Sequence, residues 1–206
     1  PVETGDEQIA FFQLPGLMMD ATFNNLAPTG TATNTEKEPP DTEPATLEAV
    51  KRRRAALLYT FFEEHSPDVY IIELYPFGRK SFRFELDPVL QAIKDGRLPG
   101  CHVFCSLRDI LVERHDSGKF EPRVITKLNA FFDGLLNQGD KKCIALDATF
   151  SRLHDITIPM AYTGYVTPLI PAASRADVRH NLGFSDATSL IVASIGADLH
   201  RPLYRQ

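Results

Sequence analysis

The chain has 206 residues, of which 43% are hydrophobic and 24% are charged, and its formal net charge is −5. This size fits one α/β domain, or one domain together with part of another. The negative charge argues against general nucleic-acid binding, which usually needs a basic face, and no apolar run approaches the ~18 residues of a membrane-spanning helix.

The amino-terminal part of the chain alternates between apolar and polar segments. Residues 9–14 form a short apolar run that ends at a Pro-Gly pair, and this pattern predicts a strand. Residues 28–46 are rich in proline, threonine and acidic side chains, which predicts a mobile loop. A loop of this length inside a domain is either functional or disordered.

A helix is predicted over residues 47–65, because apolar residues recur there at helical spacing and Thr46 can cap the amino end. Four consecutive basic residues at 51–54 resemble a binding patch. A run of charges on a helix usually forms a solvated face, and we interpret these residues in that way.

The segment from Asp68 to Asp87 contains most of the features that predict a functional site. An apolar run over residues 69–72 leads into Glu73, and this pattern predicts a strand buried on both faces, as in a parallel sheet. Open α/β sheets hold their ligands just past the carboxyl ends of the strands. The turn that follows therefore supplies the candidate site residues Phe77, Gly78, Arg79, Lys80 and Arg83.

Strands and helices alternate through the following part of the chain. The predicted elements are a helix over 82–95, a strand over 101–106, a helix over 122–132 and a strand over 133–137, after which a short segment around 144–153 leads to residues 160–163. This alternation predicts right-handed βαβ units and a parallel sheet.

Three of the predicted strands end in polar clusters, which should share one edge of the sheet if the strands are parallel. These clusters are Glu73 with Arg79, Ser106 with Arg108 and Asp109, and Gly139 with Asp140. Arg108 is expected to pair with Asp109, with Glu113 or with a ligand anion. Glu73 is either a general base or a carboxylate that orders its own turn through Arg79 or Arg83.

The last part of the chain predicts a second domain. Residues 167–173 contain two prolines and small residues, as interdomain linkers do. A short helix over 175–182 and a buried strand over 189–194 follow. We therefore predict a first domain over residues 1–166 and the beginning of a second over 174–206.

The cysteines predict a reducing compartment. Cys101 and Cys105 lie four residues apart in a predicted strand, so their Cα atoms should be about 13 Å apart, too far for a disulfide. With Cys143 as a third free thiol and no segment with the layout of a signal peptide, a cytoplasmic location is expected. No metal-ligand spacing occurs, so we expect no structural metal.

Four stretches, in order, carry a resemblance to a known family: IIELYPFGRKSFRFELDPVL, FCSLRDILVE, FFDGLLNQGD and YTGYV. Over about residues 8–200 the chain resembles the predicted bacterial glycosyltransferases related to the peptidoglycan lipid-intermediate N-acetylglucosaminyltransferase. That family, family 28, has the GT-B architecture of two Rossmann-like domains. The resemblance implies inverting, metal-independent transfer of a sugar from a nucleotide diphosphate donor, with UDP as the expected nucleotide, and no cofactor.

The resemblance also implies which candidate residues bind the acceptor and which bind the donor, on opposite sides of a cleft. Glu73 is the candidate catalytic base, and Gly196 and Ala197 are the candidate donor-binding residues. The acceptor side comprises Phe77, Gly78, Arg79, Arg83, Ser106, Arg108, Asp109, Gly139 and Asp140. In GT-B enzymes the acceptor binds the amino-terminal domain and the nucleotide binds the carboxy-terminal one.

The chain departs from the family at several points. It has Gln138 where relatives often have a histidine, and it lacks the first strand, the glycine-rich turn and most of the donor-binding domain. We therefore expect these residues alone to be inactive and to self-associate through the open edge beside residues 69–74. Two other functions are kept: a non-catalytic module that binds sugar nucleotides or glycolipids, and a nucleotide-sugar 2-epimerase. A peripheral membrane contact is also left open.

Overall fold

A computed structural model describes residues 9–19, 26–28, 46–108, 111, 117–166, 175–185 and 189. The chain divides into two compact units, residues 1–166 and 167–206. Several predictions lie outside the described residues: the interior of the loop over 28–46, the linker over 167–173, Asp109, Glu113, the strand over 189–194 beyond its first residue, Gly196 and Ala197.

The first unit contains six strands and three helices among its described residues, and the second contains one helix. In chain order they are β1 (Leu17–Met19), β2 (Leu26–Pro28), α1 (Leu47–His65), β3 (Val69–Glu73), α2 (Arg83–Lys94), β4 (His102–Arg108), α3 (Ser117–Phe131), β5 (Gly134–Gln138), β6 (Met160–Tyr162) and α4 (Arg175–Asn181). Short 3₁₀ turns occur at Lys80–Phe82, Leu146–Ala148 and Leu153–Asp155.

Strands β3, β4, β5 and β6 form one sheet in that order, and each neighbouring pair is parallel. Helix α2 connects β3 to β4, and α3 connects β4 to β5. The predicted α/β class with a parallel sheet flanked by helices is confirmed, and the arrangement is consistent with a Rossmann-like fold. All four strands therefore direct their carboxyl ends to the same edge of the sheet.

Strand β3 is buried on one face only, which corrects the expectation of burial on both faces. Tyr70 and Ile72 point to the face where the helices pack, and Phe62 of α1 contacts Tyr70 with ring centroids 4.9 Å apart. On the other face Val69 and Ile71 are 50% and 56% exposed. The sequence could not show that only one face is buried, because residues 69–72 are all apolar and so place apolar side chains on both faces of the strand.

Helix α1 has the predicted bounds, and the Thr46 hydroxyl accepts a hydrogen bond from the Ala49 amide at 3.3 Å. The basic run within it is only partly a solvated face. Arg54 Nε and Nη2 donate to the two carboxylate oxygens of Glu85 on α2, at 2.7 and 2.8 Å. Because both side chains are largely buried, this ion pair joins α1 to α2.

The predicted strand over residues 9–14 is wrong. The structure has no strand there; instead β1 and β2 pair antiparallel in a separate two-stranded sheet. Phe12 packs on Phe61 of α1, with ring centroids 5.0 Å apart. An extended segment can thus place an apolar side chain on a helix without pairing its backbone, and a hydrophobic pattern alone does not separate the two cases.

Helix α3 starts at Ser117, earlier than the predicted start at residue 122. Pro122 lies inside the helix, where proline removes one backbone hydrogen-bond donor. The helix is fixed from the side by Glu121, whose carboxylate accepts hydrogen bonds from the backbone amides of Ser151 and Arg152 at 3.1 and 3.0 Å. This contact ties α3 to the segment around residues 151–152.

Candidate functional site

The carboxyl ends of β3, β4 and β5 bring together polar side chains on the open face of the sheet. Glu73 is the register partner of Ser106, and Arg108 is the register partner of Gln138. Because side chains alternate between faces along a strand, these residues share one face. Together with Arg79 from the turn after β3, they are called the edge cluster below.

Glu73 lies between two arginines in the edge cluster. Its Oε2 accepts from Arg79 Nη2 at 2.5 Å, and its Oε1 accepts from Arg108 Nη2 at 3.1 Å. Arg79 reaches Glu73 from a left-handed turn, in which Leu74 and Arg79 have φ values of 64° and 52°. One carboxylate therefore connects a turn with a neighbouring strand.

The two guanidinium groups determine the ionisation of Glu73. Partial burial alone would raise the pKa of Glu73, but Arg79 and Arg108 together outweigh it, so that the pKa lies below the usual value. A lowered carboxylate pKa means that the ion pairs persist at neutral pH and are lost only as the pH falls through that lowered pKa. The carboxylate is thus ionised at neutral pH and has a reduced affinity for protons.

Arg108 has one partner that was not predicted. Asp109 and Glu113, its predicted partners, lie outside the described residues, and the structure pairs Arg108 with Glu73 of the preceding strand. This pair joins residues 35 positions apart in the sequence. Only the register of β3 against β4 could have predicted the contact.

Ser106 and Gln138 connect β4 to β5 within the edge cluster. The Gln138 side-chain amide donates to the Ser106 hydroxyl, and Ser106 is 7% exposed. Sequence reasoning noted Gln138 only as a departure from the related family. The signal that could have placed it in the site is its position as the last residue of a strand that ends at the common edge.

The turn after β3 separates residues that face the solvent from one that does not. Arg79, Lys80 and Arg83 are exposed, whereas Phe77 is 2% exposed and its ring packs edge-on against Phe150. Phe77 therefore belongs to the core beneath the turn. At Gly78 a Cβ atom would lie 2.7 Å from the Leu74 side chain, which accounts for glycine at this tight position.

A cleft of about 340 Å³ lies at the carboxyl ends of β5 and β6. Its lining residues are Gly139, Asp140, Lys141, Lys142, Tyr162 and Gly164. Gly139 and Asp140 were predicted as site residues. The lysines were missed although they follow directly in the sequence, and Tyr162 comes from β6, so that only the sheet order brings it to the cleft.

The turn that forms one wall of the cleft is held by Asp140. Asp140 Oδ1 accepts from the Lys142 backbone amide at 2.8 Å, and the Asp140 carbonyl accepts from the Cys143 amide at 2.8 Å. Opposite, the Gly164 amide donates to the Gly139 carbonyl at 3.2 Å, and Gly164 has a φ of 74°, which favours glycine. The edge cluster, at the ends of β3, β4 and β5, and this cleft, at the ends of β5 and β6, thus lie along one sheet edge and meet at the end of β5.

Two other structural findings concern the described part of the chain. No group of three or more His, Cys, Asp or Glu side chains within it could hold a metal ion. Likewise, none of its helices combines the length and the apolar character that crossing a membrane requires.

The three cysteines should differ strongly in reactivity. All are free thiols; Cys105 is fully buried, and this burial raises its pKa to about 12, whereas Cys143 is exposed beside the cleft. We expect iodoacetamide to alkylate Cys143 in the folded protein and Cys105 only after unfolding, because the thiolate is the reactive form. Peptide mass spectrometry over time checks this order, and early alkylation of Cys105 would contradict its burial.

Comparisons of the chain with protein-family models, with curated proteins and with solved structures each give no match. The resemblance to family 28 glycosyltransferases therefore stays a prediction. What is established is a parallel sheet whose carboxyl edge carries the edge cluster and a cleft.

Proposed function

We propose that the first unit is the acceptor-side domain of a GT-B glycosyltransferase, which transfers a sugar from a nucleotide diphosphate donor to an acceptor hydroxyl. The reaction is inverting and metal-independent in this proposal. The observation that carries it is the edge cluster, in which Glu73 is held between Arg79 and Arg108 at the carboxyl edge of a parallel sheet. Ligand sites of open α/β sheets lie at this edge.

The charges of the edge cluster support binding of an anion. One carboxylate faces two guanidinium groups, so that Glu73, Arg79 and Arg108 together carry a net charge of +1. A guanidinium group offers a planar fork of donors that matches a phosphate. Such a surface can bind a phosphate of the donor or of a lipid-linked acceptor, and cations near a departing diphosphate stabilise its charge.

Two alternative roles of Glu73 in this reaction need to be distinguished. As a general base it would take the proton of the acceptor hydroxyl while that oxygen attacks the anomeric carbon. As a positioning residue it would only hold Arg79 and Arg108 in place. Its lowered pKa keeps it ionised but makes it a weak base, so the positioning role has the stronger physical support.

Removing one cation of the edge cluster should weaken transfer. For the protein expressed from its complete reading frame, we expect Arg108→Ala to lower kcat/KM for radiolabelled sugar transfer by about 10–100-fold, because a hydrogen bond to a charged group contributes about 1.5–3 kcal/mol. Arg97→Ala is the matched control, since Arg97 is an exposed arginine that pairs with Asp95 away from this edge. Equal effects of the two variants would contradict the proposal.

Glu73→Gln separates the two roles, because it removes the charge and keeps the shape. The base role predicts a fall in kcat of about 100-fold or more and a loss of the acidic limb of the pH profile. The positioning role predicts mainly a higher KM and an unchanged profile. Unchanged kcat ends the base role.

A second candidate is a non-catalytic module that binds sugar nucleotides or glycolipids. It is favoured by the engagement of Glu73 with two arginines, which leaves the edge cluster suited to binding an anion rather than to accepting a proton. Binding of a UDP-sugar without any transfer would support this module over the enzyme. Release of free nucleotide without transfer would instead support the 2-epimerase.

A further inference from the structure

The turn after β3 holds two residues in a strained backbone conformation. Leu74 and Arg79 have φ values of 64° and 52°, in the left-handed region that residues other than glycine rarely adopt. Such residues persist only where the surrounding structure holds them in place, and they concentrate at functional sites. Between them the Gly78 amide donates to the Leu74 carbonyl at 2.6 Å, so that the turn is tight. The position of Arg79 beside Glu73 therefore depends on what fixes this turn.

A buried tyrosine fixes the start of the turn. Tyr75 is 4% exposed, and its hydroxyl donates a hydrogen bond to Oδ1 of Asp87 on α2. The Nζ atom of Lys127 on α3 donates to the same oxygen at 2.9 Å. Tyr75, Asp87 and Lys127 are called the turn anchor below. Because its members come from the turn and from two different helices, the turn anchor ties the backbone next to Leu74 to both helices.

The hydrogen bonds of the turn anchor have a fixed direction. Burial, the hydrogen bond to Asp87 and the charge of Asp87 raise the pKa of Tyr75, although the charge of Arg83 acts in the opposite direction. The tyrosine hydroxyl therefore stays protonated at neutral pH and donates its proton. The lysine ammonium group can only donate. The Asp87 carboxylate thus accepts both bonds, and hydrogen bonds to a charged group are stronger than those between neutral groups.

The turn anchor can affect Glu73 only through Arg79. Within the described part of the chain, the hydrogen bonds to the Glu73 carboxylate come from Arg79 and Arg108, and none comes from the turn anchor. Arg108 belongs to β4 and does not depend on the turn. Arg79 follows Tyr75 by four residues in the same turn, so its backbone position depends on where the tyrosine is held.

We propose that the turn anchor positions Arg79, because its hydrogen bonds keep the strained turn in place and so keep the Arg79 guanidinium group on Glu73. Without these bonds the strained turn is free to relax, and Arg79 moves away from Glu73 while Arg108 stays on β4. Tyr75 and Asp87 are thus positioning residues of the edge cluster, since neither bonds to Glu73 itself. Only the consequence for sugar transfer rests on the proposed function.

The pKa of Glu73 reports whether Arg79 is in place. Partial burial raises this pKa, and Arg79 and Arg108 lower it by more, so the pKa rises when Arg79 leaves the carboxylate. We expect Tyr75→Phe and Asp87→Asn each to shift the pKa of Glu73 upward from the wild-type value. Carbon-detected NMR titration of the glutamate side-chain carboxyl groups measures the shift, and Glu73→Gln assigns the signal.

The sign of the shift separates repositioning of Arg79 from a direct effect of charge. Asp87→Asn removes a negative charge, which by itself would lower the pKa of Glu73, because the carboxylate then meets less repulsion. Tyr75→Phe changes no charge. An upward shift in both variants therefore requires that the Arg79 guanidinium group has moved away from Glu73.

The matched controls are Tyr59→Phe and Asp95→Asn, which should leave the pKa of Glu73 unchanged. Tyr59 is a half-buried tyrosine of α1 that packs on a different core cluster, and Asp95 is an exposed aspartate that follows α2 and pairs with Arg97. Urea unfolding of each variant supplies the second measurement. Lower stability of the anchor variants with an unchanged pKa of Glu73 would mean that the turn anchor supports only the fold, and would overturn the proposal. Equal upward shifts in the controls would overturn it as well.

The conservative variant Tyr75→Phe keeps the aromatic ring in the core, so it decides the question if Asp87→Asn does not fold. Sugar transfer by the protein expressed from its complete reading frame is a separate readout, and there we expect Tyr75→Phe to lower kcat/KM by about 2–10-fold. Absence of transfer by the wild type, together with an upward shift in Tyr75→Phe, would refute the proposed enzyme and support the positioning of Arg79. Transfer by the wild type without any shift would do the opposite.

Discussion

Replacing Glu85 with alanine is expected to lower the free energy of unfolding by about 3–5 kcal/mol. Its carboxylate receives two hydrogen bonds from Arg54, at 2.7 and 2.8 Å, and the two side chains are 12% and 6% exposed. Removing the carboxylate leaves the Arg54 guanidinium buried between α1 and α2 without its counter-charge. The loss therefore reflects an unpaired buried charge more than the strength of the pair itself.

Urea unfolding followed by circular dichroism measures this loss. Glu63→Ala is the matched control, because Glu63 is an exposed glutamate on α1 and its removal should change stability by less than about 0.5 kcal/mol. The double variant Arg54→Met, Glu85→Leu should recover much of the stability, since an apolar pair of similar volume leaves no charge buried. If Glu85→Ala costs no more than the control, the pair does not join the two helices.

Replacing Phe77 with alanine is expected to lower the free energy of unfolding by about 3–5 kcal/mol. Phe77 is 2% exposed and lies in the main core cluster. Its ring meets that of Phe150 with centroids 5.3 Å apart and an interplanar angle of 68°, the edge-to-face geometry that aromatic pairs favour. Truncation would remove this contact and leave a cavity beneath the turn that carries Arg79.

The same variant separates a core role from a ligand role for Phe77. Phe11→Ala is the control, because Phe11 is 73% exposed and should contribute little to stability. Phe77→Leu keeps most of the apolar volume and should lose less stability than Phe77→Ala. If Phe77→Ala unfolds like the wild type in urea but binds ligand more weakly, the ring acts in ligand binding and not in the core.

Local pattern alone was enough to predict much of the fold. Helix α1 has the bounds that its apolar spacing and Thr46 predict, because helix periodicity and capping depend on residues near in sequence. The parallel sheet followed from the alternation of strands and helices, since βαβ connections allow few arrangements. From this it also followed that Glu73, Ser106 and Gly139 would lie at one edge.

Long-range contacts decided the rest. The register of β4 against β3 brings Arg108 close to Glu73, and the packing of α1 against α2 brings Arg54 close to Glu85. The pairing of β6 with β5 brings Tyr162 to the cleft. The sequence shows that a charged or aromatic residue is present at each position, but not which distant group it will meet. Partners, burial and pKa depend on the distances between segments far apart in the chain, and only the folded sheet sets those distances.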